Sequence, residues 1–268
     1  WFVMRSIRKA LTIAGSDSGA GAGIQADLKT FAALGVYGTS AITAITAQNT
    51  VGVSAICPLS PKLVAAQIDA VVSDIGADAV KTGMLANAGI IDMVAKKIRE
   101  HRLRNVVVDP VMVATSGDLL IQKNAVTALR TRLIPLAMVV TPNLPEAEEL
   151  TGMKLRSTEE IEEAARRIVG MGAQSVIIKG GHRKGPAVDL FYDGKKFRAL
   201  YAPRIRTTNT HGTGCTFSAA IAANLAQGKK LETAVTLAKQ FITEAIRRAF
   251  PVGAGHGPVH HFYRYWKH

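Results

Sequence analysis

Short apolar runs alternate with stretches of helical periodicity along most of this 268-residue chain, and this alternation limits the fold more than any other feature. "ALTIAG" (10–15), "NVVVDP" (105–110), "AMVVTPN" (137–143) and "SVIIKGG" (175–181) read as buried strands, and most run into glycine, an acid or an amide. Helical patterns lie between them. One spans "AGIQADLKTFAAL". Another opens at Ser60–Pro61, with proline at the first helical position and Val64, Ile68, Val71 and Val72 on one face. A third, "STEEIEEAARRIVGMG", carries a capping box of Ser157 with Glu160 and closes at Gly172. "TSAITAITAQ" and "GVSAICPL" predict strands joined by a tight turn at 49–52, and "AVDLFYDGKKFRAL" predicts a hairpin around Asp193–Gly194. The last third is helical, broken by Gly228. The expected fold is α/β: one doubly wound, mostly parallel sheet flanked by helices, with a small β-hairpin or lid element.

At 48% hydrophobic content the chain can bury a large core. No linker, repeat or low-complexity segment marks a boundary, so residues 1–268 are expected to form one domain, with 1–8 and 264–268 as tails. No apolar run reaches bilayer length, and "WFVMRSIRK" is too short and basic for a signal peptide; Met4 reads as the natural start. Cys57 and Cys215 form no C-x-x-C pattern, which argues against a disulfide framework or zinc site and for a reducing cytoplasm. The net charge of +13 raises nucleic acid as a partner. The charges are scattered, however, and only 6% of residues are aromatic, with no basic stripe interleaved with aromatics. Solvated helix faces, with a general attraction for polyanionic small molecules, fit better than a nucleic-acid or membrane surface.

In doubly wound sheets ligands bind beyond the carboxyl ends of the strands. This rule gathers Gly15–Gly23, Asp109, Asn143–Glu146, Lys179–Gly181 and Gly212–Cys215 at one edge. "GSDSGAGAG" (15–23) is neither a P-loop nor G-x-G-x-x-G, but its glycines permit close backbone approach. Asp27 either favours the positive end of a helix or accepts from a ligand's amino group. Asp109 either caps a turn or serves Mg²⁺, directly or through water. Asn143 and Glu146 fit a capping box first, and as the alternative a pair that positions hydrated Mg²⁺. Lys179, before two glycines, suits a phosphate, although lysines commonly end strands. In "HGTGC", Gly212, Thr213 and Gly214 open a helix with free N–H groups and a favourable dipole, as an anion site needs; the alternative is a tight loop packed on the sheet. "GHGPVHHFYRYWKH" has four histidines without an acid or cysteine and reads as a surface tail rather than a metal site.

"AGSDSGAGAGIQADLKTF", "AITAQNT", "KTGML", "VVVDPVMVATSGD", "VTPNLPEAE", "KGGH", "HGTGCTFSAAIAA" and "GHGPVHHF" occur in that order between about Lys9 and Tyr263. Together they resemble the hydroxymethylpyrimidine/phosphomethylpyrimidine kinases of thiamine biosynthesis, a ribokinase-like family. The resemblance implies ATP and Mg²⁺ as cosubstrate and cofactor, with room for a monovalent cation. It also implies a homodimer, and as acceptor 4-amino-5-hydroxymethyl-2-methylpyrimidine, phosphorylated on its hydroxyl and then on the resulting phosphate. By position, Asp27 and Gln48 would bond the aminopyrimidine, with Gly15, Met84 and Val111 around it. Asp109 and Glu146 would serve the metal, and Asn143 and Lys179 the phosphates. Gly212, Thr213 and Gly214 would form the anion hole. Cys215 stands where the family's sugar kinases carry an aspartate base. A helix N-terminus lowers a thiol from about 8.5, so a useful thiolate fraction is expected, with Cys215 taking the hydroxyl proton late in transfer. Ala20 departs from the glycine more usual there. The remaining alternatives are a pyridoxal/pyridoxine kinase, a non-catalytic pyrimidine-binding regulator, and a closing lid over 182–194.

Overall fold

The computed structural model describes residues 7–112, 123–181 and 187–266. Its sheet grows from the apolar runs read above. β1 (Lys9–Asp17), β4 (Ala79–Thr82), β5 (Val106–Val108), β6 (Val139–Val140) and β7 (Val176–Ile178) are buried strands, and β2 (Tyr37–Gln48) lies beside β1. These six pair in parallel in the order β2-β1-β4-β5-β6-β7. β3 (Val53–Pro58) closes one edge antiparallel to β2, and the hairpin β8 (Ala187–Tyr192) with β9 (Phe197–Ala202) closes the other. The lid alternative therefore divides: 187–192 is a sheet strand, and 182–186 lie outside the described residues.

Successive strand residues face opposite ways, so each parallel strand feeds two cores. Leu11, Ile13, Val80, Val106, Val108, Val140, Val176 and Ile178 face α2 (Pro61–Asp74), α3 (Ala88–Glu100), α4 (Lys123–Ala128), α5 (Leu144–Thr151) and α6 (Thr158–Gly170). Ala10, Ala79, Val107, Val139 and Ile177 face α1 (Gly23–Ala33), α7 (Thr213–Ala226) and α8 (Leu231–Arg247). Truncating one such residue, for example Ile13 to Ala, costs about 2–5 kcal/mol. α7 is buried along its whole length from Thr216 to Ala226, and its five alanines in that stretch let sheet and helices approach it from several sides. The expected caps form. Ser60 accepts from Leu63 N; Ser157 and Glu160 exchange both bonds of a capping box; Gly172 takes the left-handed φ of +110° after α6.

The chain leaves β1 toward β2 on one side and reaches β4 on the other, which opens a crevice at their carboxyl ends. Among the described residues no helix is long and apolar enough to cross a membrane.

The expected surface tail is instead docked. Val259, His260 and His261 are buried, and the backbone at 255–260 bonds to three other parts of the chain. Gly255 N and His256 N donate to Thr50, His211 N donates to Gly257 O, and His260 N donates to Ala245 O. Histidine count alone hides the reason: Val259, Phe262 and Tyr263 supply an apolar face, and imidazole can be buried uncharged. Burial, with Lys29 next, pushes His261 down to about 3.

Candidate active site

The carboxyl ends of β1 and β4–β7 and the N-terminus of α7 enclose a cavity of about 930 Å³. Gly15, Gln48, Met84, Asp109, Val111, Asn143, Glu146, Lys179, Gly212, Thr213, Gly214 and Cys215 all line it. Of the residues given a role in the site by position, Asp27 alone does not.

Asp109 follows β5 and is 2% exposed. Its Oδ1 accepts from Thr141 Oγ1 (3.1 Å) and Lys179 Nζ (3.1 Å), and its Oδ2 accepts from Ser218 Oγ (3.2 Å). Burial works to raise its pKa, but Lys179 and then Lys81 outweigh it, and the carboxyl sits below its ordinary value. Lys179 Nζ also lies 4.0 Å from Glu146 Oε2. Burial would lower the lysine; Asp109 and Glu146 hold it above its ordinary value. Asn143 and Glu146 form the capping box at the start of α5, each side chain accepting from the other's backbone N–H at 2.8 Å. The cap does not remove Glu146 from the site. Its carboxyl is buried beside Lys179, and burial lifts it to about 7.

α7 begins at Gly212, whose φ is +77° and whose missing Cβ would overlap Gly21 O. A Cβ on Gly214 would lie 3.2 Å from Lys179 Nζ and 3.8 Å from Asp109 Oδ2. The helix start, the lysine and the aspartate thus converge on one point. In the first loop, Gly15 and Gly23 line the cavity, and the absent side chain of Gly21 leaves room for the His211 ring.

Two expectations are reversed. Asp27 is fully buried behind the cavity wall, where its Oδ2 accepts from Lys81 Nζ (2.9 Å) and Thr12 Oγ1 (2.6 Å). The β1–β4 register places Thr12 beside Lys81 on the sheet face covered by α1, so Asp27 meets them inside the layer and not at the helix end. Cys215 is not primed as a thiolate. Burial pushes its thiol up to about 11; Lys81 works the other way, and Asp27 and Asp109 add to the rise. The helix-terminus argument omitted this desolvation and the two neighbouring carboxylates.

The model of the family described as phosphomethylpyrimidine kinase matches residues 17–260. The chain belongs to this family. The hydroxymethylpyrimidine/phosphomethylpyrimidine kinase of Bacillus subtilis (strain 168) is 52% identical over 259 residues, 96% of either chain. The thiamine biosynthesis bifunctional protein of Geobacter sulfurreducens is 58% identical over 252 residues; the match covers 94% of this chain and 51% of that relative, so this chain spans about half its length. Among solved structures, an ADP complex of Bacillus subtilis pyridoxal kinase superposes with a TM-score of 0.90 at 46% identity, covering 97% of this chain and all of the other. A phosphomethylpyrimidine kinase from Clostridium difficile 630 gives 0.80 at 45%, covering 89% and 99%.

This member of the phosphomethylpyrimidine kinase family also uses residues that sequence reasoning passed over. Asp17 ends β1, and its carboxylate accepts from Gly19 N, Gly21 N and Ala22 N (2.8–3.1 Å) and from His211 Nε2 (2.8 Å). Burial opposes ionisation, but the His211 and backbone bonds win and keep the carboxyl below its ordinary value. Lys81 stood in the quoted "KTGML" without a role. Lys239 Nζ holds Asp189 Oδ2 at 2.7 Å, and Asp189 Oδ1 accepts from Gly180 N (3.0 Å) at the hairpin end of the cavity. An acid at a strand end followed by alternating glycines was the available signal for Asp17. Lys239 and Asp189, 50 residues apart, left none.

Proposed function

We propose that this phosphomethylpyrimidine kinase family member transfers the γ-phosphoryl group of ATP to the hydroxymethyl group of 4-amino-5-hydroxymethyl-2-methylpyrimidine, and then phosphorylates the monophosphate. The carrying observation is that a single cavity joins two halves. Gly15, Gln48, Met84 and Val111 offer amide and backbone groups between apolar walls, as a flat polar heterocycle needs. Gly212–Gly214 and Lys179 offer an anion-binding turn beside Asp109 in the same cavity.

Asp109 and Glu146 are two hard carboxylates beside Lys179, which fits an ion usually held by one or two carboxylates together with substrate phosphates. They would hold hydrated Mg²⁺, with Asn143 facing the phosphates, and the ion would supply charge neutralisation. Lys179 then follows the transferring group, and the Gly214 N–H with the α7 dipole receives its developing charge, the Thr213 N–H being given to Thr210 O (3.2 Å). Phosphoryl transfer through a loose transition state asks little of a base, so a protonated Cys215 can border the hydroxymethyl group without a preformed thiolate. The apolar side chains of Phe217, Ile242 and Ile246 line the same cavity and suit the nucleotide base.

A second reading, phosphorylation of pyridoxal, is favoured by the close superposition on pyridoxal kinase. The free thiols Cys57 and Cys215 support a cytoplasmic setting. Ile45, Ile56 and Leu63, exposed near edge strand β3, support a homodimer, which light scattering on the purified chain tests. The deciding experiment is a coupled assay with ATP and Mg²⁺ that compares kcat/KM on the aminopyrimidine and pyridoxal and resolves mono- from diphosphate. Preference for pyridoxal, or no diphosphate, refutes the proposal.

A further inference from the structure

His211 stands at the junction of three parts of the site, and neither the phosphate chemistry nor the acceptor contacts above give it a role. It is 7% exposed. Its Nε2 lies 2.8 Å from Asp17 Oδ2, so it carries the proton that the carboxylate accepts. That same carboxylate oxygen accepts from Gly21 N and Ala22 N, and so His211 is bound through one acid to the loop that begins α1. The imidazole packs on Gly21 so closely that a Cβ there would overlap the ring. The Gln48 amide nitrogen is 3.4 Å from the same imidazole nitrogen. On its other side His211 is followed directly by Gly212, the N-cap of α7. Its backbone is gripped from both directions by the docked C-terminal segment: His211 N donates to Gly257 O (3.0 Å) and Val259 N donates to His211 O (3.4 Å).

We infer that His211 is a positioning residue that fixes the acceptor-side loop and the phosphate turn at one spacing, with Asp17 as its anchor and residues 257–259 as its brace. Two glycine-rich segments meet here, where the Cα of Gly212 touches Gly21 O. Backbone contact alone sets no angle. A donor–acceptor pair between buried side chains does, and a charge-assisted bond is stronger than a neutral one. Gly15, Ala22 and Gly23 bring the first segment to the acceptor side of the cavity, and Gly212–Gly214 bring the second to its phosphate side, so the spacing of the two enters the reaction distance. A displacement of about 1 Å at such a point costs on the order of a hundredfold in rate.

The kinetic part of this inference rests on the kinase reading above; the structural part does not. The test uses His211→Leu, which keeps bulk and loses the donor, His211→Gln, whose amide can donate to Asp17, and Gly21→Ala, whose methyl pushes the ring off Asp17 while both residues stay in place. Amide hydrogen exchange is followed in 17–23 and in 209–216, together with kcat and the KM values of both substrates. Loss of the pair in His211→Leu and Gly21→Ala is expected to speed exchange in both segments by about tenfold or more, while β5–β7 keep the wild-type rate. kcat is expected to fall about 10- to 100-fold with the ATP KM within about twofold, and His211→Gln to recover much of kcat. Faster exchange confined to 209–216, unchanged kcat, or a Gln variant no better than Leu overturns the inference. If His211→Leu fails to fold, Gly21→Ala and His211→Gln decide by the same criteria. If the wild-type chain phosphorylates no acceptor, the kinase reading falls and the two-segment exchange result alone decides for or against His211.

Discussion

Lys81→Met isolates the ion pair beneath the cavity. Lys81 Nζ and Asp27 Oδ2 are 2.9 Å apart and both side chains are fully buried. Methionine keeps most of the lysine stem, so little packing is lost. The charge is another matter. Asp27 keeps only Thr12 Oγ1 as a donor, and its Oδ1 already lacks a partner. Removing one member of a buried pair costs about 3–5 kcal/mol, because the other is left charged and desolvated. Asp27 can escape part of this by taking a proton. Burial already raises it above 3.8 with Lys81 present, and without Lys81 it rises further. A carboxyl whose folded pKa lies above its unfolded one binds more protons when folded, so stability falls as pH rises from about 4 through the folded pKa. The maximum slope is about 1.4 kcal/mol per pH unit. Urea unfolding of the wild type, Lys81→Met and the Lys81→Met/Asp27→Leu double variant at pH 5 and pH 8 reads all three terms. Lys81→Met should lose several kcal/mol at pH 8 and clearly less at pH 5. The double variant should recover most of the loss. A loss under about 1 kcal/mol, or one equal at both pH values, refutes the argument that this pair is a desolvated pair.

Three further outcomes follow from the same geometry. Ala20 holds a left-handed φ of +60°, so Ala20→Gly should gain about 0.5–1 kcal/mol after the glycine's extra unfolded-state entropy, read as a rise of about 1–4 °C in Tm; no rise removes the strain argument. Glu146, lifted from 4.5 to about 7, makes folding less favourable as pH climbs through that window; Glu146→Gln should flatten this part of the Tm-versus-pH curve in Mg²⁺-free buffer, and an unchanged curve counts against it. Wild-type alkylation at Cys215 should be slow at pH 8 and climb toward pH 11, as a buried, protonated thiol requires; a rate that levels off near pH 8 contradicts this.

The sheet was legible because its signals are local. Val106–Val108 and Val176–Ile178 are buried on both faces and read as strands without help from neighbours. Ser60, Asn143 and Ser157 cap helices through residues three positions away, so spacing revealed them. The rule of strand carboxyl ends placed Asp109 and Lys179 in one cavity although they lie 70 residues apart. What stayed hidden depends on register and on the total field. Nothing in "ADLKTF" says that Asp27 faces inward to Lys81, because that needs the alignment of β1 with β4. Cys215 was misjudged for the same reason: the dipole of its helix is visible in sequence, whereas burial and the charges on Asp27 and Asp109 are tertiary. The histidine-rich terminus was misread because two imidazoles in the core look, in sequence, like two polar surface residues.

The brace on His211 has a consequence for biosynthesis. All nine described strands are complete in sequence at Ala202, yet the partners of His211 at 257–259 follow about 55 residues later. At about 5–20 residues per second, several seconds separate the two events. A nascent chain can therefore hold its complete sheet before its phosphate turn is locked. Phosphorylating competence would then begin as a late, separately timed step of synthesis, and a ribosome stalled shortly before residue 257 would display a sheet with an unfinished catalyst.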